Sequence, residues 1–427
     1  MAAPQMQTPY GLLGRKLGHS WSRPIHEQLG SAPYSHLELE PADVTPFIRE
    51  NTDWRGLNVT IPYKADAAAA ADEQSPRVAA LGVANTLVRR EDGTIFAENT
   101  DVLGFSWMLG RFCEQALGCD AASALAGKKA LALGSGGASQ AIQASLCEAG
   151  ADVVVVSRSG EDNYGNLLER HADAALIVNT TPVGMFPNCP ASPLPDGALE
   201  AMGGLVGVLD VVYNPCRTKI CLDAERAGIA YETGLPMLVA QAFFASELFQ
   251  GKALDEGLCE SILASIRRKT ESIVLIGMPG AGKTSAGKRL ARALGRPFVD
   301  IDEAIAQREG RSAAQIIESE GEDAFRAIET QVTGDVAAKP GLIIACGGGV
   351  VTRPENRDLL RQNGHVVMLD RKLDELSSKG RPMSRAKGVE QLAHERMSAY
   401  RSWADLIVKC TGTADGDAAL ITQKLGF

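Results

Sequence analysis

Short β-branched and apolar runs alternate with amphipathic stretches along almost the whole chain, and this alternation predicts α/β architecture with parallel sheets. In the first part the runs predict strands at Tyr10–Leu13, Tyr34–Leu39, Gly56–Val59, Asn85–Arg89 and Thr94–Glu98, then a helix from about Val102 to Leu117. Gly127-Lys128-Lys129 reads as a boundary. Beyond it come strands at Ala130–Leu133, Val153–Ser157, Leu176–Asn179, Gly207–Val211 and Ile229–Glu232, with a helix from about Ser139 after the first of them. Two helices follow, Met237–Gln250 and Leu254–Arg268; the second places Leu258, Ile262, Leu263 and Ile266 on one face. A brief linker at about Lys269–Ser272 leads to a second α/β unit that opens with the strand Ile273–Ile276.

At 427 residues the chain exceeds what one hydrophobic core supports, so more than one globular unit is expected. A hydrophobic fraction of 45% with 22% charged residues is ordinary for packed domains and argues against disorder. The net charge of -9 disfavours a nucleic-acid partner, which needs a basic face. No apolar run suggests a membrane span, and the first residues lack the basic-then-apolar pattern of a signal peptide. Nine cysteines with no Cys-x-x-Cys pair are expected to be reduced and to bind no zinc, which predicts a cytoplasmic protein.

The sharpest motif is Gly277-Met-Pro-Gly280-Ala281-Gly282-Lys283-Thr284, between a buried strand and a helix spanning about Ser285–Leu294. Its backbone amides would cradle phosphate oxygens, Lys283 would reach the β- and γ-phosphates, and the Thr284 hydroxyl would ligate Mg²⁺. Binding of a nucleoside triphosphate is therefore expected, with Gly277, Gly280, Ala281, Gly282, Lys283, Thr284 and Ser285 in contact. Asp300 and Asp302 close a second strand at i and i+2, so alternation predicts one common side; a cap on a helix beginning at Glu303 is the other reading of Asp302. Two carboxylates beside such a loop suit one ligand for Mg²⁺ and one acceptor for a hydroxyl proton. Arg326 and Glu329, one helical turn apart, are either functional or a surface ion pair. Gly347-Gly348-Gly349 either lets backbone approach a substrate ring or is only a tight turn. Arg381 and Arg396 add basic groups further on.

In the first part, Gly134-Ser-Gly136-Gly137-Ala138-Ser139 follows a strand and opens a helix, as a dinucleotide-binding turn does. The next strand ends in Ser157-Arg158-Ser159 with no acid for a ribose hydroxyl, which favours NADP(H) over NAD; a solvated arginine is the alternative. Thr181 and Met185 close a later strand, where nicotinamide would approach. Asn58, Thr60 and Lys64, Asn85 and Thr86, and Asn99-Thr100-Asp101 cluster polar groups at strand ends, as a polyhydroxylated ligand would require. Ketone reduction needs a proton donor at the developing alkoxide, and Lys64 and Asp101 are the candidates.

These motifs resemble two families. Residues 272–410 resemble shikimate kinases in the order P-loop, Asp-x-Asp, Phe-Arg-x-x-Glu, triple glycine, Arg-Pro and Arg-x-x-x-Tyr. Residues 8–251 resemble shikimate dehydrogenases through His19-Ser20-Trp21-Ser22, Asn58–Lys64, Asn85–Thr86, Asn99–Asp101 and Met237–Ala242. The first resemblance implies that Asp302, Arg326, Gly347, Gly348, Gly349 and Arg396 hold shikimate, that Asp300 helps organise Mg²⁺, and that Arg381, on a lid, meets the transferring phosphoryl group. The second implies that Ser20 and Ser22 hold the substrate carboxylate, that Asn58, Thr60, Asn85, Asp101 and Gln241 hold its hydroxyls, and that Lys64 does the proton chemistry.

Together they imply a substrate-binding domain over 1–104 plus 236–268, a Rossmann-like NADP domain over 105–235, and a nucleoside-monophosphate-kinase-like domain over 272–427. The implied activity is NADPH-dependent reduction of 3-dehydroshikimate followed by ATP-dependent phosphorylation of shikimate. A quinate-preferring first half, a different small-metabolite kinase, or a ligand-sensing regulator are the competing readings. Departures from the family patterns stand at Arg23, Glu27, Gln140, Met383 and Ser384.

Overall fold

The computed structural model describes residues 6, 8–18, 20–376 and 388–427; His19 and the segment carrying Arg381, Met383 and Ser384 lie outside the described residues. The backbone separates into two compact units: Met1–Pro182, Pro193–Tyr213 and Asp223–Ser265 form one, and Val183–Ser192, Asn214–Leu222 and Ile266–Phe427 the other.

The first unit contains two sheets. One comprises β1 (Tyr10–Gly14), β2 (Tyr34–Glu38), β3 (Gly56–Val59), β4 (Glu73–Gln74), β5 (Thr86–Arg89) and β6 (Ile95–Glu98), ordered β2-β1-β3-β5-β6-β4. It is mixed rather than parallel throughout, because β5 runs antiparallel to both β3 and β6. The short connection Arg90–Thr94 allows only a hairpin, since a parallel return needs a crossover of a dozen or more residues. The two-residue edge strand β4 has no counterpart in the sequence expectation. The other sheet is parallel throughout: β7 (Lys129–Leu133), β8 (Asp152–Val156), β9 (Leu176–Asn179), β10 (Gly207–Asp210) and β11 (Ala230–Glu232), ordered β11-β10-β9-β7-β8.

Helices Thr100–Phe112 and Leu235–Gln250 pack against one another within this unit. Gly104 permits the contact: a Cβ there would lie 2.8 Å from the Gln241 nitrogen and the Met237 carbonyl. The expected domain cut after residue 104 therefore falls inside a continuous helix, capped by Asn99 and closed beyond Phe112 by a π-helical turn over Cys113–Leu117. The stretches 183–192 and 214–222 also depart from expectation, grouping with the second unit rather than with a 105–235 domain. Their backbone is tied there, with Cys216 N donating to Asn363 Oδ1 at 2.9 Å and Arg217 N to Gln362 O at 2.7 Å.

The second unit is built on a parallel sheet of β12 (Ser272–Ile276), β13 (Phe298–Asp300), β14 (Ile343–Ala345), β15 (Gly364–Asp370) and β16 (Leu406–Lys409), ordered β13-β14-β12-β15-β16. Its central strand β12 is buried along its length, as an unbroken apolar run flanked by helices should be. The expected linker disappears: helix Gly257–Thr270 runs to within one residue of β12, leaving only Glu271 between them.

Candidate active sites

In the first unit the polar strand ends converge. Asn58 and Asn85 are each 4% exposed, and Lys64 opens the helix Lys64–Ala70 just past β3. Asn99 caps helix Thr100–Phe112 by accepting from Asp101 N at 3.2 Å, which sets Asp101 in the first turn, where the helix dipole favours a carboxylate. Lys64 Nζ then donates to Asp101 Oδ2 at 2.6 Å, with the two side chains 16% and 13% exposed. Gln241 Oε1 accepts from Asn85 Nδ2 at 3.4 Å. Ser20 and Ser22 join through their hydroxyls at 3.0 Å at the start of helix Ser22–Leu29. Thr60 follows β3, its amide donating to Leu13 O at 2.9 Å. Arg23 and Glu27, which break the family pattern, are exposed.

The glycine turn after β7 is tight. Gly134 has φ +105°, and a Cβ there would meet Thr181 Cγ2 at 2.8 Å and Thr180 Oγ1 at 2.9 Å. Gly136 caps helix Gly137–Glu148, and both Gly136 and Gly137 face open space. Ser139, where the dinucleotide pattern has its third glycine, is buried and donates from Oγ to Gly134 O at 2.7 Å, so its hydroxyl ties the turn shut. Ala138 is half-buried against the core. Past β8, Arg158 and Ser159 are exposed and Ser157 is partly so, with Ser157 N bonded to Asp162 O at 3.0 Å. Met185, expected beside the nicotinamide, is 45% exposed and belongs to the stretch that groups with the second unit.

In the second unit Gly277, Gly280 and Gly282 all take positive φ (136°, 92° and 99°), as amides turned onto a phosphate require. Helix Lys283–Leu294 begins at the loop; Lys283 is buried, with Nζ on Gly277 O at 2.8 Å and Met278 O at 3.1 Å, while Ser285 is exposed and Ala281 buried. Thr284 Oγ1 donates to Asp300 Oδ2 at 2.7 Å. The common-side expectation for the aspartates needs correction. Asp300 ends β13 and caps the next helix by accepting from Asp302 N and Glu303 N, so the helix starts at Ile301 and Asp302 sits in its first turn.

The triple glycine is where Asp302, Glu329, Arg326 and Arg396 meet. A Cβ on Gly347 would lie 2.7 Å from Glu329 Oε1 and 2.9 Å from Asp302 Oδ1, one on Gly348 would lie 2.5 Å from Pro279 Cγ, and one on Gly349 would overlap the Arg326 guanidinium. A tight turn alone would not need such clearances. Arg326 and Glu329 are 6% and 0% exposed and joined at 2.6 Å, so they are no surface pair. Burial lowers the arginine's proton affinity, but Glu329 and Glu322 outweigh it and hold the guanidinium above its ordinary value. Burial pushes the Glu329 carboxyl up, with Arg326 pulling the other way. Arg396 Nη1 donates to Gly348 O at 2.9 Å, and the Tyr400 hydroxyl donates to the same carbonyl. Burial raises Tyr400 to about 12. The Nε atoms of Arg326 and Arg396 are buried with no hydrogen-bond partner among the described residues.

Two family models match: "Shikimate dehydrogenase substrate binding domain" over residues 12–87 and "Shikimate kinase" over residues 279–425. The shikimate dehydrogenase (NADP(+)) of Caldicellulosiruptor bescii is 37% identical over 263 residues, covering 56% of this chain and 88% of the relative. The shikimate kinase of Dehalococcoides mccartyi is 40% identical over 145 residues, 32% of this chain and 82% of the relative. The chain belongs to both families. It is a bifunctional shikimate-pathway enzyme, an NADP-dependent dehydrogenase followed by an ATP-dependent kinase. The dehydrogenase half is also similar to solved structures. Shikimate 5-dehydrogenase from Thermus thermophilus in complex with NADP(H) and shikimate matches with TM-score 0.51 and 31% identity, covering 60% of this chain and 98% of that one. A chorismate mutase/shikimate 5-dehydrogenase fusion from Clostridium acetobutylicum matches with TM-score 0.55 and 30% identity, covering 62% and 99%.

Sequence reasoning left some residues of this bifunctional enzyme without a role. Tyr34 and Thr100 are buried against Asn58 and Asn85, and Tyr400 holds the Gly348 carbonyl. The hydroxyls beside asparagine at two strand ends were the available signal for Thr86 and Thr100; nothing local marks Tyr34, which comes from the far side of the sheet order.

Proposed function

We propose that Lys64 and Asp101 supply the proton chemistry of 3-dehydroshikimate reduction, and that Asp302 accepts the hydroxyl proton in shikimate phosphorylation. Bound NADPH supplies the hydride and bound ATP the phosphoryl group. The observation that carries the reading is that each half keeps its charged chemistry intact: Lys64 lies 2.6 Å from Asp101, and Asp302 stands at the triple glycine beside Glu329.

In the dehydrogenase half, Ser20 and Ser22 orient the substrate carboxylate, while Asn58, Thr60, Asn85 and Gln241 hold the ring hydroxyls. Negative charge that develops on the ketone oxygen is met by Lys64, kept in place by Asp101. Gly134, Gly136, Gly137 and Ala138 admit the NADP pyrophosphate to the helix N-terminus, and Ser157, Arg158 and Ser159 receive the 2′-phosphate. Thr181 lies against the same turn.

In the kinase half, Arg326 and Arg396 take the shikimate carboxylate and the triple-glycine backbone flanks its ring. Lys283 and the loop amides bind the triphosphate, and Arg381, outside the described residues, is assigned to the transferring group. Thr284 and Asp300 present two oxygens 2.7 Å apart, a donor set that suits the hard cation Mg²⁺. A reducing, cytoplasmic setting completes the reading and rests on nine cysteines without a pairing motif.

Assaying both half-reactions on the full chain tests this. Lys64→Ala is expected to lower reductase kcat by about 10²–10⁴-fold and leave the kinase within about twofold; Lys283→Ala is expected to do the reverse. Loss of both activities from either substitution would refute separate active sites.

A further inference from the structure

A carboxamide has two ends of nearly equal shape, one donating and one accepting, so an asparagine recognises a ligand correctly only if something fixes which end faces it. In the dehydrogenase half that information starts at a group that can only donate, the Thr100 backbone N–H. It donates to Asn85 Oδ1 at 2.7 Å, so Asn85 Nδ2 is turned the other way, toward Gln241 Oε1 at 3.4 Å. The Thr86 and Thr100 hydroxyls lie 2.9 Å apart and each is 3.1 Å from Asn85 Oδ1. Whichever hydroxyl donates to the other, the remaining proton goes to Asn85 Oδ1, so that oxygen accepts in either setting.

The same hydroxyl pair sets Asn58. Thr86 Oγ1 accepts from Asn58 Nδ2 at 3.2 Å, and Asn58 Oδ1 accepts from the Tyr34 hydroxyl at 2.8 Å. Thr86 and Thr100 are 0% exposed and Tyr34 3%, so water has little access to exchange these bonds. The Tyr34 ring is itself clamped by His26, stacked at 4.3 Å, whose Nδ1 meets the Ser31 and Ser246 hydroxyls at 2.8 and 3.1 Å.

We infer that Thr86 and Tyr34 are positioning residues of the dehydrogenase: their buried hydroxyls hold the Asn58 carboxamide, and Thr86 also supports the Asn85 carboxamide that the Thr100 N–H has turned, so that Asn85 offers N–H to a substrate oxygen. Both hydroxyls act through the asparagines they bond. The inference rests on the reading that Asn58 and Asn85 bind the substrate, and the controls below separate the two.

Steady-state kinetics of 3-dehydroshikimate reduction by the full chain provide the test. Thr86→Val keeps the shape and removes the hydroxyl; it is expected to raise KM for 3-dehydroshikimate about tenfold, as loss of one oriented hydrogen bond does, with kcat within about threefold. KM for NADPH and the kinase activity stay unchanged, and Thr86→Ser restores KM to within about twofold. Tyr34→Phe, which deletes a single oxygen, is expected to raise the same KM severalfold and serves if Thr86→Val folds poorly. An unchanged KM in both variants, or a fall in kcat alone that Thr86→Ser does not rescue, overturns the inference. If Asn85→Ala raises KM while Thr86→Val and Tyr34→Phe do not, only the positioning role fails; if Asn85→Ala leaves KM unchanged, the substrate assignment itself fails.

Discussion

Around Asn58 and Asn85 the dehydrogenase half buries neutral amides and hydroxyls, whereas around the triple glycine the kinase half buries a guanidinium and a carboxylate. Both pockets are read as holding the same carboxylated ring, so the difference reflects what each reaction asks of the surroundings. A hydride transfer followed by one protonation needs one charged pair, and Lys64–Asp101 keeps partial access to water at 16% and 13% exposure. Phosphoryl transfer leaves little covalent work for the protein and depends on positioning and charge, so buried ions near the acceptor serve it. The neutral network is inexpensive to bury when each donor has an acceptor, while the ionic one depends on every partner staying in place.

That contrast can be broken first at Glu329. Glu329→Gln leaves the buried Arg326 charge with only the more exposed Glu322, 3.2 Å away, and the kinase unit is expected to lose about 3–5 kcal/mol in a urea titration followed by kinase activity; a loss below about 1 kcal/mol would mean the Arg326–Glu329 pair is not what holds the pocket. Next comes Gly349→Ala, whose new Cβ would overlap the Arg326 guanidinium. It is expected to lower kinase kcat/KM for shikimate by about 100-fold, roughly 2.7 kcal/mol, with KM for ATP unchanged.

A third test addresses the neutral side. Burial holds His26 at about 3 in the folded state against 6.5 for the free side chain. The unfolded chain therefore binds more protons between those values, so this residue's stabilisation is complete above pH 6.5 and declines as pH falls toward 3. By pH 5 the dehydrogenase unit is expected to have lost about 2 kcal/mol relative to pH 7, and His26→Gln should flatten that part of the profile. The smallest effect is expected at Arg15–Glu40, a pair 54% and 67% exposed, where Arg15→Ala should change stability by less than about 1 kcal/mol in a urea titration followed by reductase activity.

Much of this architecture was legible without coordinates where the signal is local. The strand Gly56–Val59 and the strand Leu176–Asn179 occur with the expected bounds, since a short apolar run between turn residues leaves little choice. The phosphate loop is equally local, because glycine spacing and a following lysine specify it within eight residues. Reading failed where a side chain decides an end. Asp300 caps a helix and so ends its strand two residues before Asp302, a choice that alternation alone did not reveal. It failed also where packing extends an element, as in the linker absorbed by helix Gly257–Thr270 and β12.

Residue type and spacing alone specify the kinds of chemistry present: a P-loop, a lysine with an aspartate, and arginines near a triple glycine. Which of those groups meet, and with what polarity, depends on how the chain packs. Asn58 and Asn85 are 27 residues apart, and Tyr34 and Gln241 reach them from two further elements. Hydrogen-bond direction is a property of the closed network, so it exists only once the sheet register and the helix contact at Gly104 have brought those side chains within reach.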